Sequence, residues 1–230
     1  MLYHKLLNHY ISIYHKSTKR FLFIWTLLAI TPLFCSFLFD ELAIYATGKI
    51  TSGILFLILN IIPIMVAVAL MMFLLISIWA VFSSKINIKE KFFIILYAYV
   101  LIWFAYGNLY YFSCDVDNYN RMLIATQKNA NLDIVNLQEK VIEVQFQTPI
   151  RGIHNFWSLN DELKPQIQNR IKGLIDCYYF SGVTMLTIGF GDVTPVSSLL
   201  RLFSVFQGFL GQVIVVIAMG LWINQAGKQE

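Results

Sequence analysis

Of 230 residues, 58% are hydrophobic and only 13% are charged, with a net charge of +4 and a mean hydropathy of +0.65. Soluble domains carry about 25% charged residues, so this balance excludes an ordinary water-soluble globule and points to lipid. The small positive excess shows no basic stripe interleaved with stacking aromatics, which excludes a nucleic-acid-binding reading.

In chain order, residues 1–20 hold Lys5, Lys16, Lys19 and Arg20 and no acidic residue. His4, His9 and His15 in this stretch read as solvated side chains rather than a pH sensor. Residues 21–39 follow as nineteen uncharged positions, long enough to cross a bilayer at about 1.5 Å per residue. Twenty polar and aromatic residues precede them and no small-residue cleavage pattern follows, so they read as a span and not as a signal peptide. A short turn with Asp40, Glu41 and Lys49 leads to residues 50–82, a second apolar run. Between 61 and 81 that run is apolar around its whole circumference, unlike the one-sided stripe of a soluble core helix. Pro63 is compatible with a membrane helix.

The linker 83–91 carries Lys85, Lys89 and Lys91 against Glu90, and a third span is expected at 92–112. Excess Lys and Arg in residues 1–20 and in this linker place both on the cytoplasmic side. The loop 113–172 then faces outward, with seven basic and seven acidic residues and no strong net field. Within it, residues 117–146 lack Gly and Pro and space Ile134, Leu137, Val141 and Val144 at helical intervals. Two short helices forming an outward cap are expected there, broken near Thr148, Pro149 and Gly152, with spacer, subunit-contact surface and ligand site as open roles. Cys114 stands alone at the start of the loop, where oxidising conditions would permit a bond between subunits, and a free thiol is the preferred reading; Cys35 and Cys177 read as small packing residues in apolar segments.

Residues 174–186 form an apolar and aromatic run that rises about 20 Å as a helix, too short to span a bilayer. They must enter and turn back. The following TIGFGDVTP crowds two glycines, an aspartate and a proline into nine residues and ends any regular helix. Nonhelical backbone at membrane depth is tolerated only where it lines a pore or holds something. If dihedral angles alternate in hand along Thr187, Ile188, Gly189 and Phe190, successive carbonyls point to one side. Four such strands around an axis would stack rings of oxygen that replace the water of a potassium ion, with the Thr187 hydroxyl as the innermost ring. The C-terminal end of the preceding short helix, negative by its dipole, favours a cation at the same place.

Thr184, Thr187, Gly189, Phe190, Gly191 and Asp192 resemble the filter signature of the potassium channel superfamily, with Ile188 and Phe190 as variants similar to its two-pore-domain branch. The resemblance covers about residues 92–223 and implies an outer helix, a re-entrant pore helix, a selectivity filter and an inner helix. With one filter motif in the chain, it implies a homotetramer in membrane lipid that conducts K+ as the permeant ion, with no cofactor. It gives Thr187, Ile188, Gly189, Phe190 and Gly191 the filter, and places Asp192 at its outer mouth. Tyr178, Tyr179, Phe180 and Thr184 support the pore helix. Val183 departs from simple bacterial members, which carry a glutamate there, and this leaves Asp192 with fewer buried partners.

The last span, 202–223, is the inner helix. Gly211 lies twenty-four residues after Thr187, similar to the family's hinge glycine. Gly208 and Gly211 support two readings, a hinge or close approach to the pore helix. Gln212 is a candidate for the cavity wall, and Val215, Met219 and Ile223, four residues apart, for an apolar gate. No span carries regularly spaced positive residues, so a voltage sensor is not expected. The tail 224–230 is too short for a ligand-binding domain, and no regulatory partner is indicated.

The fold expected is therefore an all-α membrane protein: four transmembrane helices, a pore helix with filter, and a cap-like outer loop. Both termini are expected in the cytoplasm and the protein in a plasma membrane of bacterial type. No enzymatic motif such as HExxH, GxSxG or a Walker sequence is present. The alternatives are a nonselective cation channel and a nonconducting sensor on the same scaffold.

Overall fold

The computed structural model describes residues 88–128, 149–153, 157–160, 162–165 and 167–227, together with scattered helical positions within 23–38 and at 65 and 68. Three helices dominate: α1 (Ile88–Lys128), α2 (Ile167–Met185) and α3 (Ser198–Ala226). Four short strands lie outside them. β1 (Ile150–Arg151) and β4 (Thr194–Pro195) pair antiparallel, and β2 (Trp157–Asn160) and β3 (Glu162–Pro165) form a second antiparallel pair.

α1 is an apolar helix with one shielded stripe. Ile95, Ala98, Ile102, Tyr106 and Leu109 recur at three- and four-residue spacing and are buried, whereas Phe93, Leu96 and Val100 stay exposed. Its forty-one residues measure about 60 Å, roughly twice the hydrocarbon thickness of a bilayer. The expected end at 112 is thus corrected: α1 continues to Lys128 through Asp115 and Asp117. Loss of hydropathy marks where a span leaves lipid, not where a helix stops, and no Gly or Pro interrupts 108–128.

The same reason extends the other two helices. α2 begins at Ile167, not 174, because IQNRIKG continues the helical repeat with polar residues, and α3 runs from Ser198 to Ala226 rather than 202–223. The Ser197 carbonyl accepts the Arg201 amide in the first turn of α3. The four short strands correct the all-α expectation, and 150–165, beyond the expected cap helices of 117–146 and starting at the expected break, is partly extended. Residues 129–148, which hold most of the expected cap, lie outside the described residues, as do nearly all of the second apolar run and residues 1–20.

α1, α2 and α3 pack on one another around Ile102, Tyr110, Phe180, Met185, Leu210 and Ile214. The helical positions of 23–38 lie against the back of α1: Ala29 is buried, and its carbonyl accepts the Asn108 side-chain amide at 2.8 Å. Ser36 donates to buried Asp115, and the Thr26 and Tyr97 hydroxyls share a hydrogen bond. The described positions of the first apolar segment therefore pack against α1 of their own chain. Lys91–Asp117 and Ser198–Asn224 are the two described helices long and apolar enough to cross a membrane.

Candidate functional site

The junction between α2 and the glycine-containing segment is a single hydrogen-bonded motif. Ile188 N–H donates to the Val183 carbonyl at 2.9 Å, and Thr187 N–H to the Thr184 carbonyl at 3.1 Å. That pair of bonds is a Schellman cap, in which the residue after the helix takes a left-handed conformation. Glycine normally occupies that place; here Thr187 does, at φ 55°. A β-branched residue is sterically disfavoured there, so the surrounding structure must hold it. Gly189 (φ 55°) and Gly191 (φ 82°) also lie in the left-handed region, while Ile188 and Phe190 do not. Backbone hand thus alternates from Thr187 to Gly191, the arrangement that turns successive carbonyls toward one side. A Cβ at Gly189 or Gly191 would meet open space, so conformation rather than crowding requires glycine there.

Residues 186–192 are exposed in the single chain. Below them, the Gln212 side chain donates to the Thr187 hydroxyl at 3.3 Å, which in turn donates to the Leu186 carbonyl at 2.7 Å. From Gln212, the exposed side chains of Val215, Met219 and Ile223 continue down the same side of α3. Gly211 is the tightest point between α3 and α2. A Cβ there would fall 2.7 Å from the Met185 carbonyl oxygen, and α3 passes through it without a break. Of the two readings of this glycine, the geometry supports close approach. Gly208 sits beside the Thr184 carbonyl at an ordinary 3.5 Å.

Each aromatic residue singled out on the pore helix has a distinct position. Tyr179 donates its hydroxyl to Asp192 Oδ2 at 2.8 Å, across the segment between them. The partner that Val183 cannot supply to Asp192 is thus a phenol one turn earlier, and Asp192 Oδ1 accepts the Val193 amide at 3.0 Å. Tyr178 turns the other way, onto α1: its ring fills the space over Gly107, where a Cβ would lie 2.2 Å from Cδ1, and its hydroxyl donates to Asn108. Phe180 is buried against Tyr110, ring centroids 4.8 Å apart.

Behind α2 lies a polar chain that sequence reasoning missed. Tyr110 donates to Gln207 Oε1 at 2.9 Å, and Gln207 Nε2 donates to the Ser181 carbonyl at 2.9 Å and to its hydroxyl at 2.6 Å. Ser181 donates to the Trp103 carbonyl at 2.8 Å, and the Trp103 indole N–H to the Tyr178 carbonyl, also at 2.8 Å. All three helices are locked together by satisfied polar groups at membrane depth, where an orphaned one would cost most. The available signal was a glutamine and a serine inside otherwise apolar helices, since intramembrane polar residues are retained for a partner.

The segment around Pro149 also reaches this site. The Pro149 carbonyl accepts the Val196 amide at 2.8 Å and the Ser197 amide at 3.2 Å, and β1 pairs Ile150 with Pro195 and Arg151 with Thr194. Gly152, at φ 93°, lets its backbone approach so closely that a Cβ would stand 2.5 Å from the Asp192 carbonyl oxygen. Residues read from sequence as a break in a cap therefore strap the segment after Asp192. Among the described residues, no three His, Cys, Asp or Glu side chains gather into a metal-holding group.

Residues 156–227 match a family model described as "Ion channel". A curated relative, "Two pore potassium channel a" of Oryza sativa subsp. japonica, is 32% identical over 66 residues, which is 29% of this chain and 18% of the relative. The match thus spans under a fifth of that relative's length. No solved structure matches.

Proposed function

We propose that this chain belongs to the potassium channel superfamily, a reading that the ion-channel match and the potassium-channel relative support, and that it is one subunit of a homotetrameric, K+-selective channel of the plasma membrane. Its filter is Thr187–Asp192, with K+ held by the carbonyls of Thr187, Ile188, Gly189 and Phe190 and by the Thr187 hydroxyl. The observation that carries the reading is the backbone alternation at Thr187, Gly189 and Gly191, continuous with the cap of α2. A left-handed threonine has no merit for stability; it is intelligible as a carbonyl-orienting position. The relative, named a potassium channel, supports the choice of ion.

Assembly follows from incompleteness. One chain presents a quarter of each carbonyl ring, and Val205, Phe209, Val216, Met219 and Trp222 leave α3 apolar and exposed. Four copies around the filter axis would place Gln212 under the filter and Val215, Met219 and Ile223 along the pore below, as an apolar gate. Lipid covers the remaining outer faces. In this arrangement Tyr179 and the β1–β4 strap hold Asp192 at the outer mouth. Four spans with cytoplasmic termini complete the topology.

The test is the reversal potential of the purified chain in planar bilayers under opposed K+ and Na+ solutions. Reversal near the K+ equilibrium potential, with block by barium, is expected. Reversal near zero with robust current would replace this reading with a nonselective channel. No current, and no K+ flux in vesicles, would leave a sensor on a channel scaffold.

A further inference from the structure

Asn108 is an amide inside the apolar span of α1, and it is 2% exposed. Its side chain has two ends of opposite character, and both are used across helices. Nδ2 donates to the Ala29 carbonyl at 2.8 Å, and Oδ1 accepts the Tyr178 hydroxyl. The partners dictate that orientation: a carbonyl only accepts, so Nδ2 must face Ala29, which leaves Oδ1 for the phenol. One side chain thus joins the first apolar segment, α1 and the pore helix α2. Neither partner can leave without orphaning one end of a buried amide.

Helix geometry carries the Tyr178 end of that bridge to the segment beyond α2. Tyr178 and Tyr179 point about 100° apart around the helix axis, so the rotation that seats Tyr178 on Asn108 also aims Tyr179 at Asp192 Oδ2, 2.8 Å away. Apolar contact is non-directional, so the seat of the Tyr178 ring over Gly107 does not fix this angle alone; the hydroxyl bond does. A rotation of α2 by about 15° moves groups at a radius of about 6 Å by about 1.5 Å, enough to break the bond to Asp192. The same rotation passes into the turn at Thr187, because the Thr187 and Ile188 amides are bonded to the Thr184 and Val183 carbonyls. We propose that Asn108 is a positioning residue for the filter: by tying Tyr178 to the first apolar segment, it sets the rotation of α2 and so the placement of Thr187–Asp192. The first apolar segment is then an input on the filter, since a shift of Ala29 relative to α1 releases one end of the amide that anchors Tyr178. The inference rests on the channel reading proposed above.

The experiment uses the full-length chain in lipid nanodiscs, with amide exchange at 187–193 followed by mass spectrometry and K+ binding by calorimetric titration. Tyr178→Phe keeps the ring over Gly107 and deletes only the hydroxyl, whereas Asn108→Leu deletes both ends of the bridge. Each is expected to speed exchange at 187–193 and to weaken K+ binding about tenfold, and the double variant to match Asn108→Leu alone. Thr26→Val is the control. It removes a hydrogen bond of the same segment to Tyr97, about 16 Å along α1 from Asn108, and is expected to leave both readouts at parent values. Parent-like exchange and affinity in Tyr178→Phe and Asn108→Leu, or equal changes in Thr26→Val, would overturn the proposal. The two claims fail separately. A parent that binds no K+, with exchange still separating Tyr178→Phe from Thr26→Val, removes the channel reading alone; a parent that binds K+, with exchange that does not separate them, removes the positioning role alone.

Discussion

α1 and α3 are similarly long and apolar, yet 56% of the α1 span is buried inside the chain and only 22% of the α3 span. α1 finds its partners in cis: α2 on one side, Ala29 and Ser36 on another. α3 touches its own chain along one edge, at Gly208, Gly211 and Ile214, and leaves Val216, Met219 and Trp222 open. The exposed residues 186–192 belong with α3. One half of the structure is covered within a single chain, and in the proposed assembly the other is covered by neighbours and lipid. Substitutions in the first half are therefore expected to cost stability, and those in the second half conduction and assembly.

The largest effect is expected at Gly189. Alanine at φ 55° costs about 1–2 kcal/mol in each chain, and four copies compound it. Gly189→Ala is expected to abolish K+ preference while the thermal unfolding midpoint falls by no more than this strain, because nothing lies within reach of the added methyl. A variant that unfolds early without losing selectivity would break the division between the halves.

Gly211 and Gly220 sharpen it, since both are in α3 and differ only in surroundings. Gly211→Ala forces a methyl against the Met185 carbonyl and is expected to destabilise by about 1–3 kcal/mol. At Gly220 the same methyl meets open space, and the gain in helix propensity is expected to stabilise by about 0.5–1 kcal/mol. Denaturation of both variants in detergent gives the two signs. Gln207→Leu removes the hinge of the buried polar chain and leaves the Tyr110 hydroxyl short of its best acceptor, an expected loss of about 1–3 kcal/mol seen in the same assay. The smallest effect is Trp103→Phe, which deletes one hydrogen bond to the Tyr178 carbonyl and should cost about 0.5–1.5 kcal/mol with K+ preference unchanged.

Much of the site was legible because its chemistry is local. Thr187 to Asp192 announce themselves through glycine spacing, and the need for alternating backbone hand follows from the carbonyls alone. The partner of Asp192 was not legible. Val183 marked a vacancy in the usual place, but nothing in the letters distinguishes Tyr179, which bonds Asp192, from Tyr178, which turns onto α1. The difference is a helical rotation of about 100° between neighbours, and only the packing of α2 decides which faces the filter. The close contacts of Gly107 and Gly152 were not legible for a related reason, since each depends on a partner 40 or more residues away.

The sequence by itself determined the membrane environment, the helical character of the spans and the interrupted segment at Thr187–Asp192, because hydropathy, periodicity and glycine act over a few residues. Tertiary structure alone decided where the helices end, that Pro149–Gly152 strap the segment beyond Asp192, that Gly211 serves contact with Met185, and that α1 is shielded while α3 is open. Those are properties of which surfaces meet, and a residue's own preferences do not specify its distant neighbour.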